Sequence, residues 1–385
     1  MLIGISVDYA RAYSARTLLQ SALDSAALAA AIAKTQETDA ESIARGEQVF
    51  TANFDGKLNG VTATPQIVIN GQQVTATASV NMPNIFMGAF GYNFSGVGTR
   101  TEVMVPSMGK AEIVFVLDYS SSMDDQYEPM RDAAIAMIEK ITLNQTNPDV
   151  KIGLVPFAKY VYGTLPGEYV LGGTPGVPWT NCTVGRKWPF VWNTSPPLPA
   201  SPGSKWGRTD GDDDIEPDEY DQCDDHPDNN LIIRPMTSDH QGTIDQLNAM
   251  TPDSGTNVAV GMEFAFHLIS PNPPWTEGVS FDDDEWQKVV ILLTDGRHNK
   301  PGFGPGGIYT EDQGRENLDL ICEEIKKEDV LVITVAYELD DEEGKEQLEN
   351  CASASQYYLE GTEQNIASVF DNVGGMLIKA LYITK

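Results

Sequence analysis

The chain has 385 residues, 41% hydrophobic and 21% charged, a globular composition long enough for two or three domains with substantial cores. Its 56 acids and 25 bases give a formal net charge of −31, which excludes nucleic acid and anionic lipid surfaces as electrostatic partners, because no basic patch could offset it. Residues 1–106 hold only 8 of the acids and 6 of the bases, and this uneven split predicts two units, 1–106 and 107–385, in different surroundings.

Met1 to Val7 is apolar, but Asp8 and Arg11 follow at once, and this stretch is far short of the about 20 residues that cross a bilayer. It also lacks the charged n-region and the small-residue cleavage site of a signal peptide. From Val7 to Phe54 the pattern is that of a long helix with a small-residue stripe, Leu18, Leu19, Ala22, Leu23, Ala26, Ala27, Ala30 and Ala31. Such a stripe either lets another helix approach closely or packs on the helix's own domain. Ile67 to Val74 reads as a hairpin with Asn70-Gly71 between two β-prone runs, and strand patterning continues through Val80 and returns near Thr99 to Val105.

The second unit alternates strands and helices, which predicts an α/β fold with a doubly wound, mostly parallel sheet. A strand at Glu112 to Leu117 is followed by a helix near Tyr127 to Leu143 and a strand at Lys151 to Phe157. An irregular insertion rich in Pro, Gly and Trp spans about 160–240, too long for a plain connection. A helix, a strand at Lys288 to Leu293, a helix at Glu316 to Lys327, strands at Val330 to Ala336 and near Gln356 to Leu359, and a helix from Glu363 complete the order.

The first of these strands ends in Asp118-Tyr119-Ser120-Ser121-Ser122. An aspartate and two alternating hydroxyls at the tip of a buried strand form a small all-oxygen cup, which suits Mg²⁺ or Mn²⁺ better than a soft metal. Thr256, at a loop-to-helix junction, offers a third hydroxyl, and Asp295, in Thr294-Asp295-Gly296 at the end of a second buried strand, offers a second carboxylate. Ligands of open α/β sheets gather beyond the carboxyl ends of the strands, where these loops can converge.

Within the insertion, residues 210–228 hold eleven acids and no base. Asp210, Asp212, Asp214 and Asp221 fall at the positions of Ca²⁺ ligands in a calcium loop, but Ile215 stands where the sharp turn calls for glycine, and like-charge runs are usually solvated. Four cysteines allow three pairings. Sequence neighbourhood favours Cys182 with Cys223 and Cys322 with Cys351, each stabilising by roughly 3–4 kcal/mol through loop closure, and such bridges would place the protein outside the cytosol.

Signs of catalysis are few. Gly302 to Gly307 does not open a helix straight from a strand as a dinucleotide loop does, and neither a nucleophile elbow nor a Walker-type loop is present. The four histidines show no paired ligand spacing. An Asp-plus-Ser site could serve Mg²⁺-dependent phosphoryl chemistry, yet no base occupies a motif position, although Arg297 lies close to Asp295. A non-enzymatic binding role is therefore expected.

The set Asp118-x-Ser120-x-Ser122, Thr256 and Asp295 resembles the metal-ion-dependent adhesion site of von Willebrand factor A domains. That resemblance implies Ser120, Ser122 and Thr256 as hydroxyl ligands, Asp118 and Asp295 as carboxylates acting directly or through water, and an open position for an acidic group of a protein partner. Val7 to Tyr13 and Leu19 to Ala29 resemble the start of TadE/TadG-like assembly proteins of Tad (Flp) pili, and a long helix before a small antiparallel sheet has the layout of a pilin-like module. The likeness extends through Trp179 to Cys182 with Arg186, Gly255 to Asn257, Leu293 to Gly296 and Cys351 to Ser353, and the TadG-like arrangement fits best. It implies a periplasmic or cell-surface protein, anchored in the inner membrane by a helix of which Met1 to Val7 looks like the last two turns. The N-terminal helix would dock with other pilin-like subunits. A purely structural subunit, in which the metal only stabilises the domain, is the alternative that the same likeness allows.

Overall fold

The computed structural model describes residues 2–35, 37–58, 61–92, 94–105, 109–208 and 225–383. The chain divides into two compact units, Met1–Met108 and Gly109–Lys385.

The first unit opens with a helical hairpin, α1 (Leu2–Ala33) and α2 (Asp39–Phe54). The single helix expected over Val7 to Phe54 is thus two. Thr38 ends the uninterrupted pattern: its side chain and the Glu41 side chain exchange hydrogen bonds with each other's backbone in a capping box, which satisfies amides that a continuous helix would have paired internally. The small-residue stripe faces α2 and the sheet of its own unit. Leu19, Ala22, Leu23, Ala26, Ala27, Ala30 and Ala31 are buried in one cluster with Phe50, Phe54, Val74 and Val80. Of the two expectations for the stripe, the structure shows packing on the helix's own domain, against α2 and the sheet. A Cβ on Gly46 of α2 would lie 2.9 Å from the Ala26 carbonyl oxygen and 2.6 Å from Ile67 Cδ1. Gly46→Val is accordingly expected to cost about 1–3 kcal/mol through overpacking, read as a lower urea midpoint at constant m-value.

Strands β1 (Gln66–Asn70), β2 (Gln73–Pro83) and β3 (Phe94–Met104) form an antiparallel sheet in that order. Asn70 pairs with Gln73, so Gly71 and Gln72 are the loop, and Gly71 has φ 60°, the left-handed first position of a type II′ turn. Among the described residues no helix is long and apolar enough to cross a membrane.

The second unit runs β4 (Lys110–Asp118), α3 (Tyr127–Ile141), β5 (Val150–Phe157), β6 (Val161–Pro166), β7 (Pro178–Val184), β8 (Gly207–Arg208), α4 (Asp225–Asp228), β9 (Arg234–Thr237), α5 (His240–Ala249), α6 (Val258–Ile269), β10 (Trp286–Thr294), β11 (Gly302–Phe303), β12 (Tyr309–Thr310), α7 (Glu311–Lys327), β13 (Leu331–Tyr337), α8 (Glu342–Cys351), β14 (Tyr358–Gly361) and α9 (Ile366–Ile383). Its main sheet has the order β14-β13-β10-β4-β5-β9. Five strands are parallel, but β9 pairs antiparallel with β5, so the sheet is mixed rather than wholly of the expected kind. Val114 and Val116 of β4 pack in one cluster with α6 and α7, while the alternating Ile113, Phe115 and Leu117 are equally buried on the opposite face, so both faces of the sheet are covered.

The insertion is more ordered than its composition predicts. β6, β7 and β8 form an antiparallel sheet, and Trp206 beside it is buried against Phe264 of α6 with ring centroids 5.4 Å apart. Cys322 of α7 is bonded to Cys351 at the end of α8. Cys182 is disulfide-bonded as well, and Cys223, the partner expected for it, lies outside the described residues. So do Asp210, Asp212, Asp214 and Asp221 of the calcium-loop expectation.

Candidate metal centre

Apolar runs in β4 and β10 place their C-terminal tips side by side, because Leu117 pairs with Leu293 in a parallel register. Asp118 leaves the end of β4 wholly buried, and Asp295 follows the end of β10 half-buried. The chain after Asp118 turns at once. The Ser120 amide donates to Asp118 Oδ1 at 2.8 Å, so the first carboxylate also shapes the loop that carries the hydroxyls.

Those hydroxyls bridge the two tips. Ser120 Oγ and Ser122 Oγ are 3.0 Å apart, and Ser122 Oγ donates to Asp295 Oδ1 at 2.9 Å. Thr256 is brought in by its backbone: the Asn257 amide donates to the Ala158 carbonyl at 2.8 Å, and the Ser121 amide donates to the Ser254 carbonyl at 2.8 Å. A Cβ on Gly296 would lie 3.3 Å from Thr256 Oγ1, so the third hydroxyl sits directly against the Asp295 loop. Asn257 then caps α6 by accepting the Val260 amide at 3.2 Å. The five residues singled out from the sequence, Asp118, Ser120, Ser122, Thr256 and Asp295, thus fall on three neighbouring loops.

One member of the constellation was not foreseen. Thr294 Oγ1 donates to Asp118 Oδ2 at 2.5 Å and accepts the Gly296 amide at 3.1 Å, locking the carboxylate that has no backbone partner on that oxygen. The signal was present, since a threonine directly before the motif aspartate is the one residue of β10 whose hydroxyl can reach the adjacent strand tip. Its omission came from reading β10 as purely apolar.

Electrostatics set the chemistry of this arrangement. Burial, and then the charge of Asp295, push the Asp118 carboxyl up to about 7, against the pull of hydrogen bonds from Ser120 and Thr294. Asp295 is raised by its own burial. Two carboxylates held together out of water are costly unless a proton or a cation lies between them. With three hydroxyls as neutral donors, the set is hard and all-oxygen, which fits Mg²⁺ or Mn²⁺ and not a thiophilic metal. Among the described residues no group of three or more His, Cys, Asp or Glu gathers for metal binding, so a cation here would depend on serine and threonine oxygens.

A family model described as Putative Flp pilus-assembly TadE/G-like matches residues 1–33. No curated protein matches the chain. Among solved structures it is similar to the pilus adhesin SpaC from Lactobacillus rhamnosus GG at 12% identity and a TM-score of 0.43, covering 85% of this chain and 35% of the adhesin. It is similar to the vWF domain of the type V pili tip protein Mfa5 from Porphyromonas gingivalis at 14% identity and a TM-score of 0.42, covering 71% of this chain and 97% of that one. The pilus adhesin RrgA from Streptococcus pneumoniae gives 10% identity and a TM-score of 0.40, covering 83% of this chain and 49% of that one. The chain therefore spans about a third of SpaC and half of RrgA.

Proposed function

We propose that the chain is a non-enzymatic, extracytoplasmic component of a pilus-assembly or adhesion apparatus, whose second unit is a von Willebrand A-type domain that grips an acidic group of a protein partner through a divalent cation. The TadE/G-like match over residues 1–33 supports the pilus setting. The observation that carries the binding reading is the bridge from Ser122 Oγ to Asp295 Oδ1 at 2.9 Å, which joins the motif loop to a carboxylate far along the chain. In this reading Ser120, Ser122 and Thr256 hold Mg²⁺ or Mn²⁺ with Asp118 and Asp295. The bound cation supplies the positive charge that an acidic partner group needs. The three hydroxyls are neutral, so two carboxylates only balance a divalent ion and leave it open to a further anionic ligand.

The test is a cation titration of the full chain. Mg²⁺ at a hundred times its dissociation constant is expected to stabilise the wild type by about 2.7 kcal/mol, seen as a rise in melting temperature that EDTA reverses. Asp118→Ala is expected to abolish the rise, with partner capture from solution falling in parallel. An unchanged Mg²⁺ response in that variant would rule out the cup as the cation site. Equal partner capture by a folded variant that has lost the Mg²⁺ response would instead make the metal a stabiliser only.

A further inference from the structure

The connection between β2 and β3 in the first unit holds four large apolar side chains in water: Ile85 is 60%, Phe86 49%, Phe90 59% and Tyr92 64% exposed. Its backbone is nonetheless firmly held. The buried carboxylate of Asp8, in α1, accepts the amides of Ile85 at 2.9 Å, Phe86 at 2.9 Å and Met87 at 2.8 Å. The Tyr92 amide donates to the Met87 carbonyl at 3.2 Å, and Asn84 Nδ2 donates to the Tyr92 carbonyl at 3.0 Å, which closes the loop on itself. The first turns of α1 extend the apolar surface. Ile5, Tyr9 and Tyr13 are exposed along one row of the helix at i, i+4 spacing, and Val7 is exposed next to Asp8. Eight of the eighteen exposed large apolar side chains among the described residues therefore lie on the two segments that Asp8 joins, a concentration that marks a contact surface rather than scattered exposure.

Charge indicates what the surface meets. In a chain of net charge −31, residues 56–101 contain no acid, and Asp8, the only acid in the first 23 residues, is engaged by the loop amides. A groove beside Val7 has Arg11 and Lys57 in its lining and, among the described residues, no acid. Neither these two bases nor Arg16, three residues after Tyr13, is ion-paired among the described residues. A phospholipid headgroup layer suits all of this. Acyl chains take up the phenyl and aliphatic groups, tyrosine hydroxyls stay at headgroup level, and phosphates face the long basic side chains. The net charge of the whole chain opposes attraction over a distance, so the contact is made by apolar burial.

We propose that the β2–β3 loop, with the adjoining turns of α1, lies in the headgroup layer of a phospholipid bilayer, in its plane rather than across it, held in that pose by Asp8. This contact is independent of the cation cup. The probe is phosphatidylcholine vesicles, mixed with the full chain in excess EDTA and floated through a density gradient. The wild type is expected to float with the vesicles to the same extent at low and at high salt. Phe86→Asp with Phe90→Asp is expected to lower the partition coefficient about tenfold or more, while Leu198→Asp, at an exposed apolar position of the second unit, leaves it unchanged. An environment-sensitive nitrobenzoxadiazole label on Phe90→Cys is expected to brighten with vesicles, and the same label on Leu198→Cys is not, which reads the loop even if the double variant fails to fold. Absence of wild-type flotation, equal flotation of the double variant, or an unresponsive label at position 90 each overturns the proposal. So does lipid-free self-association of the wild type that the double variant abolishes, which would make this face a contact between copies of the chain.

Discussion

Replacing Arg186 with methionine is expected to lower the stability of the full chain by about 3–5 kcal/mol, the usual consequence of removing one partner of a buried ion pair. Arg186 is fully buried, and its Nε donates to Glu263 Oε1 at 2.8 Å while its other nitrogens donate to the Ser195 and Asn193 carbonyls. Its guanidinium lies 5.1 Å from the Trp206 ring centroid. Methionine fills the volume but leaves Glu263, inside α6, with no cation. Burial already pushes Glu263 up to about 7 even with Arg186 beside it. A carboxyl raised in the folded state favours folding below its unfolded value of about 4.3 and loses that contribution as pH rises through its folded value. The deficit should therefore be smaller at pH 5 than at pH 8, and Arg186→Met with Glu263→Leu should recover most of it. Urea unfolding at the two pH values measures all of this. A loss under about 1 kcal/mol, or one independent of pH, would mean that the pair does not anchor the insertion.

The second large effect is the pH dependence of the proposed cation binding. Asp118 at about 7 is mostly protonated below neutrality, and a cation held in the proposed cup would have to displace that proton. The sign follows from the raised value: the folded state holds the proton more tightly than the unfolded chain does, so the empty cup is least costly in acid and most costly above pH 7. Mg²⁺ should therefore bind best at pH 8, with its apparent affinity falling about tenfold for each pH unit below 7. At pH 5.5 the melting temperature is expected to respond little to millimolar Mg²⁺. Calorimetric titrations in two buffers of different ionisation enthalpy would count the released proton directly. Release of no proton at pH 6 would place the titrating group elsewhere.

Much of the candidate site was legible in the primary structure because two of its loops end runs that are apolar on both faces, Ile113 to Leu117 and Val289 to Leu293. Such runs announce parallel strands, and parallel strands put their tips together. Less visible were features that depend on partners distant in the chain. β9 is only Arg234–Thr237 and contains Pro235, a weak strand signal that an edge position tolerates. The Arg186–Glu263 pair joins residues 77 positions apart, and nothing local marks either as buried. The break in the N-terminal helix is different in kind, for Thr38 and Glu41 have the spacing of a capping box and were masked by the strength of the flanking alanine pattern.

The way the insertion joins the sheet has a thermodynamic consequence. Leu154 of β5 pairs with Arg234 of β9, so the polypeptide leaves and re-enters the sheet at adjoining points. Closing such a gap costs only slowly more as the intervening loop lengthens. The segment can consequently be lengthened, shortened or replaced at little cost to the sheet that carries the candidate site on its neighbouring strand tips. The bolt that any replacement must preserve is a cation placed to meet Glu263.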